Sequence, residues 1–156
     1  MSKKNNVLII NSDAIYFDRD SFFIHNSTGE FLLKLKALGY KPLIFHFFLP
    51  LNNTSITTFE LSSKSILFDG VYRKKNKFIS YLSAIVRLLY LIKNSDFVYV
   101  FYPNAFSPLL LYCILIRKKY GIYLRGEKNI NSIFSNFIYK YSKFITTISP
   151  RFTSVV

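Results

Sequence analysis

SDFVYVFYPNAFSPLLLYCILIRKKYGIYLRGE, residues 95–127, decides how this chain is read. Phe97 to Tyr102 is an apolar run of β-branched and aromatic residues, the pattern of a strand buried on both faces. Ser107-Pro108 then supplies an N-cap followed by a proline at the first helical position. The segment is apolar nearly all round through Ile116, turns basic at Arg117-Lys118-Lys119, and meets Gly121, where the helix is expected to stop. Ile122 to Leu124 reads as the next strand, ending in Arg125-Gly126-Glu127. Strand, helix and strand in that order make one unit of a parallel sheet. The polar residues Tyr102, Asn104, Arg125 and Glu127 gather past the carboxyl ends of its strands, the edge where open α/β sheets bind ligands.

Working outward, the same alternation continues in both directions. Val7 to Asn11 has the look of a central parallel strand, and a long loop is expected over Ser12 to Asn26. Ser27-Thr28-Gly29-Glu30 reads as a capping box that opens a helix with Phe31, Leu32, Leu35 and Leu38 on one face, stopped by Gly39. Pro42 to Phe48 is a second strand. Ser65 to Phe68 is a third, with Asp69-Gly70 behind it as a turn signal that alternatively closes a hairpin with Val71-Tyr72. Phe78, Leu82, Ile85, Leu89 and Ile92 give a helical stripe expected to face the core. Phe134, Phe137, Ile138 and Tyr141 give another, followed by a strand over Phe144 to Ile148 and a second Ser-Pro helix start at Ser149-Pro150. With right-handed crossovers, this order predicts an α/β fold. It is a doubly wound, mostly parallel Rossmann-like sheet in the order 3-2-1-4-5-6, with helices on both faces.

Composition narrows the function classes. The 156 residues are one domain's worth of chain, and 51% hydrophobic residues with 17 Phe and 12 Tyr provide ample core. The single cysteine, Cys113, excludes an intrachain disulfide and reads as a small core residue. No Cys/His cluster suggests a metal, so no metal ligands are expected. MSKKNN before VLII lacks a cleavage site, and the apolar run Pro108 to Ile116 falls short of the ~20 residues a membrane span needs. A cytoplasmic protein is expected. A net charge of +13 suits an anionic membrane surface, while the dispersed basic residues lie in no nucleic-acid motif.

Motifs exclude more than they assign. There is no GxGxxG after the first strand and no GxxxxGK[ST], which argues against a dinucleotide or flavin enzyme and against a P-loop; GxSxG and HExxH are also absent. Gly29 at a helix mouth suits approach by a phosphate or carboxylate. His25, in the loop beside it, is a candidate base or hydrogen-bonding partner for hydroxyls, and otherwise a solvated loop histidine. His46 sits inside the second strand and reads as structural; Asp13 belongs to a polar surface loop. Arg125-Gly126-Glu127 places a guanidinium suited to phosphate or carboxylate beside an acceptor for sugar hydroxyls, or else forms an ion pair that fixes a loop. Tyr102-Pro103-Asn104 holds the equivalent edge of the preceding strand, with the Tyr102 ring able to stack on a sugar.

NVLII at the start, STGEFLLKLKALGYKPLIF, the 95–127 stretch and KFITTISPRF at the end together resemble the N-terminal half of GT-B glycosyltransferases. The similarity is greatest to the family-4-like group that builds bacterial surface polysaccharide. The resemblance implies an N-terminal domain over 1–148, with 149–156 starting a helix or linker toward a second, donor-binding domain. It implies transfer of a sugar from a nucleotide-sugar to a glycan or lipid-linked acceptor, with retention and without metal or other cofactor. By the same resemblance, Gly29 matches the glycine near the donor phosphates, Arg125, Gly126 and Glu127 match the strand end facing the cleft, and Ser149 matches the residue closing the last strand. The groups that neutralise the leaving diphosphate belong to the other half, so this chain alone is expected to be inactive or to work with a separate donor-binding subunit. The rival reading is a non-catalytic module that docks on an anionic membrane or a partner through its basic faces and the apolar 108–116 helix.

Overall fold

Residues 5–51, 59–124 and 133–147 are described by the computed structural model. In chain order the elements are β1 (Asn6–Ile10), β2 (Ile15–Asp18), β3 (Ser21–Ile24), α1 (Asn26–Ala37), β4 (Lys41–Pro50), β5 (Phe59–Glu60) and β6 (Leu67–Tyr72). There follow α2 (Lys77–Asn94), β7 (Phe97–Tyr102), a 3-10 turn (Ser107–Leu109), α3 (Leu110–Leu115), β8 (Tyr120–Leu124), α4 (Ile133–Tyr141) and β9 (Phe144–Thr147). The fold is mixed α/β, built on a curled and mostly parallel sheet.

The expected six-strand order does not describe this sheet, which has nine strands among the described residues. Its path runs β5-β3-β2-β4-β1-β7-β8-β9, with β6 added on β4. β4 is the branch point because it is ten residues long. Its first half pairs with β1 (Ile10 opposite Phe45), and its last residues pair with β2 (Ile15 opposite Phe48). Both use one edge of β4, so β6, which pairs with Leu43 to Phe48, occupies the other. The antiparallel pairs are β2/β3 and β3/β5, and both β2 and β3 lie in the Ser12 to Asn26 segment expected to be a loop.

Strand alternation sorts side chains into two cores. Val7, Ile9, Ile44, Phe48, Tyr99 and Phe101 pack with Leu32 of α1 on one face. Leu8, Ile10, Phe45, Phe47, Val98 and Val100 pack on the other with Ala84 and Leu88 of α2, Cys113 of α3 and Ile138 of α4. Three expected helix details are corrected. The cap of α1 is His25 rather than Ser27, and the Asn26 amide donates to Glu30. α3 ends at Leu115, six residues before Gly121, because Arg117 takes a left-handed φ of 54° and Gly121 is needed inside β8 opposite Tyr99. α2 turns Ser80, Ala84, Leu88, Leu91 and Ile92 inward and leaves Phe78 and Leu82 exposed.

Gly70 also has a different use. β6 runs straight through Asp69-Gly70, and a Cβ at position 70 would lie 2.1 Å from the His46 carbonyl oxygen. Glycine here permits close strand approach, and no hairpin forms. Among the described residues, no helix is long and apolar enough to cross a membrane.

Candidate functional site

β1 and β7 are adjacent, yet the chain leaves them on opposite sides of the sheet. From β1 it passes through α1 to β4; from β7 it passes through α3 to β8, on the face that α2 also covers. That divergence marks the point where open α/β sheets form a ligand crevice at the carboxyl ends of their strands.

On the β7 side the crevice is closed by its own side chains. Asn104 Nδ2 donates to the carbonyl of Phe101 at 2.6 Å and reaches those of Ile10 and Asn11 at 3.4 and 3.5 Å. Its Oδ1 accepts from the Phe106 N–H at 2.8 Å, and its own N–H donates to Ser107 Oγ at 2.9 Å. Asn104 therefore ties the end of β7 to the end of β1, with both halves of its amide engaged. Tyr102, the residue before the cis Tyr102–Pro103 peptide, is 5% exposed. Its hydroxyl shares a hydrogen bond of 2.7 Å with Ser135 of α4. The expectation that its ring offers a face to a sugar is corrected: the ring belongs to the core.

The β1 and β4 side is different. Asn11 is fully buried just past β1; its Nδ2 donates to the Asp13 carbonyl at 3.1 Å, but its Oδ1 has no hydrogen-bond partner among the described residues. His46 lies at the same level on β4, since Ile10 and Phe45 pair directly before them. Its Nδ1 is likewise buried without a hydrogen bond. Phe47 and Phe106 pack edge-on to the imidazole at 5.6 and 5.7 Å between ring centroids. This apolar enclosure lowers the His46 pKa to about 4; the nearby Arg73 charge adds to the effect, and Asp13 and the Phe47 backbone oppose it. His46 is thus neutral at pH 7 and offers hydrogen-bonding capacity without charge. Buried polar atoms are nearly always paired, so two orphans at one level of adjacent strands mark the end of β1.

The remaining candidates are scattered. His25 Nδ1 lies 2.9 Å from Ser27 Oγ, an arrangement local to the start of α1. Gly29 is buried one turn into that helix, and its N–H already donates to the His25 carbonyl. A Cβ there would meet the Phe59 ring at 2.1 Å, so the residue serves contact between α1 and β5, and its own N–H is not free for a phosphate. Arg125, Gly126, Glu127 and Ser149 lie outside the described residues. Reading the sequence passed over Asn11, taken as the last residue of a strand, and treated His46 as structural. The usable signal was an amide directly after the apolar run VLII, on the first strand of a parallel unit.

Other reactive groups are withdrawn. Cys113 is buried, and desolvation pushes its thiol up to about 12, far from thiolate reactivity at neutral pH. The buried Tyr120 hydroxyl donates to the Ile138 carbonyl at 2.6 Å and locks β8 to α4. No group of three or more His, Cys, Asp or Glu side chains is arranged to hold a metal among the described residues.

No protein-family model matches the chain, and no curated protein matches it either. Among solved structures, the fold resembles a crystal structure of a protein of unknown function, VPA0982, from Vibrio parahaemolyticus. The TM-score is 0.51 at 12% identity, over 96% of each chain. At that identity the likeness concerns the arrangement of strands and helices alone.

Proposed function

We propose that this chain binds the acceptor of a glycosyl transfer, as its resemblance to GT-B N-terminal halves implies, at the carboxyl end of β1 where it runs beside the middle of β4. The observation that carries the reading is the pair of orphaned polar atoms, Asn11 Oδ1 and His46 Nδ1. A saccharide hydroxyl both donates and accepts, so it suits an amide oxygen beside a neutral imidazole. A ligand that satisfies atoms with no bond in its absence gains more than one that exchanges existing bonds. Because both atoms are shielded from solvent, engagement requires the Ser12–Asp13 bend between β1 and β2 to lift. The nucleotide-sugar donor, on this reading, is held by a second domain or subunit, which also receives the leaving diphosphate.

The test is saturation-transfer NMR on the full chain with neutral mono- and disaccharides and with nucleotide-sugars. Saccharide signals that vanish in His46→Leu support the proposal. Absence of saccharide binding, or signals from the nucleotide alone, overturns it. Sugar transfer by the chain mixed with a donor-binding partner, and not by the chain alone, would complete the assignment.

A further inference from the structure

α2 is apolar on two sides. Ser80, Ala84, Leu88 and Leu91 face the sheet, whereas Phe78, Leu82, Val86 and Tyr90 stand 75%, 53%, 62% and 60% exposed. These four recur every fourth residue and form a row about 18 Å long at 1.5 Å per residue. A surface helix ordinarily turns charged residues to that side. The other two helices on the same face of the sheet add Leu115 at 79% and Phe137 at 44% exposure.

The charges carried by α2 and the residues just before it have one sign. KFISYLSAIVRLLYLIKN contains Lys77, Arg87 and Lys93 and no acidic residue, and Arg73, Lys74 and Lys75 precede it. Arg87 is paired with Asp69 at 2.8 Å and lies over the Tyr90 ring. Cations at a helix N-terminus oppose the macrodipole, so Lys77 does nothing for the stability of α2.

We infer that the exposed row of α2, with Lys74, Lys75 and Lys77 at its start and Lys93 near its end, is a docking surface for an anionic lipid leaflet. Apolar side chains enter the acyl boundary while lysines meet the headgroups, the arrangement of an interfacial amphipathic helix. A second copy of this chain is disfavoured, since it would bring one net charge of +13 against another. The inference does not depend on the saccharide proposal. It adds to the docking surface expected at 108–116, where Leu111, Leu115 and Ile116 are exposed while Leu110 and Cys113 are buried. Lys118 of the adjoining basic triplet is committed to the carbonyls of Lys93 and Ser95.

The experiment is co-sedimentation of the full chain with vesicles of phosphatidylglycerol and phosphatidylcholine, compared with phosphatidylcholine alone. Binding to the anionic vesicles only is expected. It should fall about tenfold or more in L82E and V86E, whose positions are already exposed, and about tenfold in the K75E/K77E pair. L38E, an exposed leucine beyond the end of α1, should leave binding unchanged. Circular dichroism checks that each variant keeps the fold. No binding to anionic vesicles, or binding insensitive to L82E and V86E, overturns the inference. So does a concentration-dependent dimer that L82E abolishes without any vesicle binding, since the row would then be a protein interface.

Discussion

Two neighbouring strand ends at one sheet edge meet opposite fates. At the end of β7, the amide of Asn104 is engaged on both sides and the Tyr102 hydroxyl is paired with Ser135. At the end of β1 and the adjacent middle of β4, the Asn11 oxygen and a His46 nitrogen are buried with no bond. The two ends share a position in the topology and a supply of polar residues. They differ in whether the loop that follows folds its polar groups back on itself. Asn104 has Phe101, Phe106 and Ser107 within reach, whereas Asn11 is followed by a bend that immediately re-enters the sheet as β2. Position at the ligand edge is therefore not enough; a site also needs polar groups that the fold leaves unused.

The contrast breaks most visibly with pH. His46 titrates near 6.5 in the unfolded chain and at about 4 in the folded one. Between those values the unfolded state holds the extra proton, so stability rises as pH rises from 4 to 6.5 and is level above that. The span corresponds to on the order of 3 kcal/mol. Urea denaturation across pH 4 to 7 should show this slope in the wild type and lose most of it in His46→Gln. Asn104→Ala should come next, lowering stability by about 2 kcal/mol because the carbonyls and N–H groups it joins lose their partner. Tyr102→Phe should cost about 1 kcal/mol, the worth of one buried hydroxyl bond, measured as a lower thermal midpoint. Asn11→Leu sharpens the comparison from the other side. It removes an amide whose oxygen is already orphaned, so stability should stay within about 1 kcal/mol while saccharide binding is lost. A large loss of stability in Asn11→Leu would show that both strand ends are structural.

The parallel core was readable because its signals are local and redundant. β7 begins and ends where its apolar run does, at Phe97 and Tyr102, since a strand buried on both faces must be apolar throughout. The β2–β3 hairpin was not readable. Its turn, Arg19-Asp20, carries no Gly or Asn, although Arg19 adopts a left-handed φ of 51°. Only pairing with the end of β4 and with β5 makes those strands worth forming. α2 misled in another way: with apolar residues on both sides, its period revealed a helix but not which side faces the sheet.

The candidate site follows the same division. The stretch 95–127 pointed to the carboxyl edge of a parallel sheet and named Asn104 and Tyr102, but it was silent on whether their polar atoms were spare. Sequence by itself determined that this chain alternates strands and helices, because periodicity and buried runs are properties of consecutive residues. Tertiary structure alone decided that β4 branches the sheet, that Asn104 seals one crevice wall, and that Asn11 and His46 share a level. Those facts depend on pairing between residues 24 or more positions apart, and hydrogen bonds across that distance are set by the packed fold.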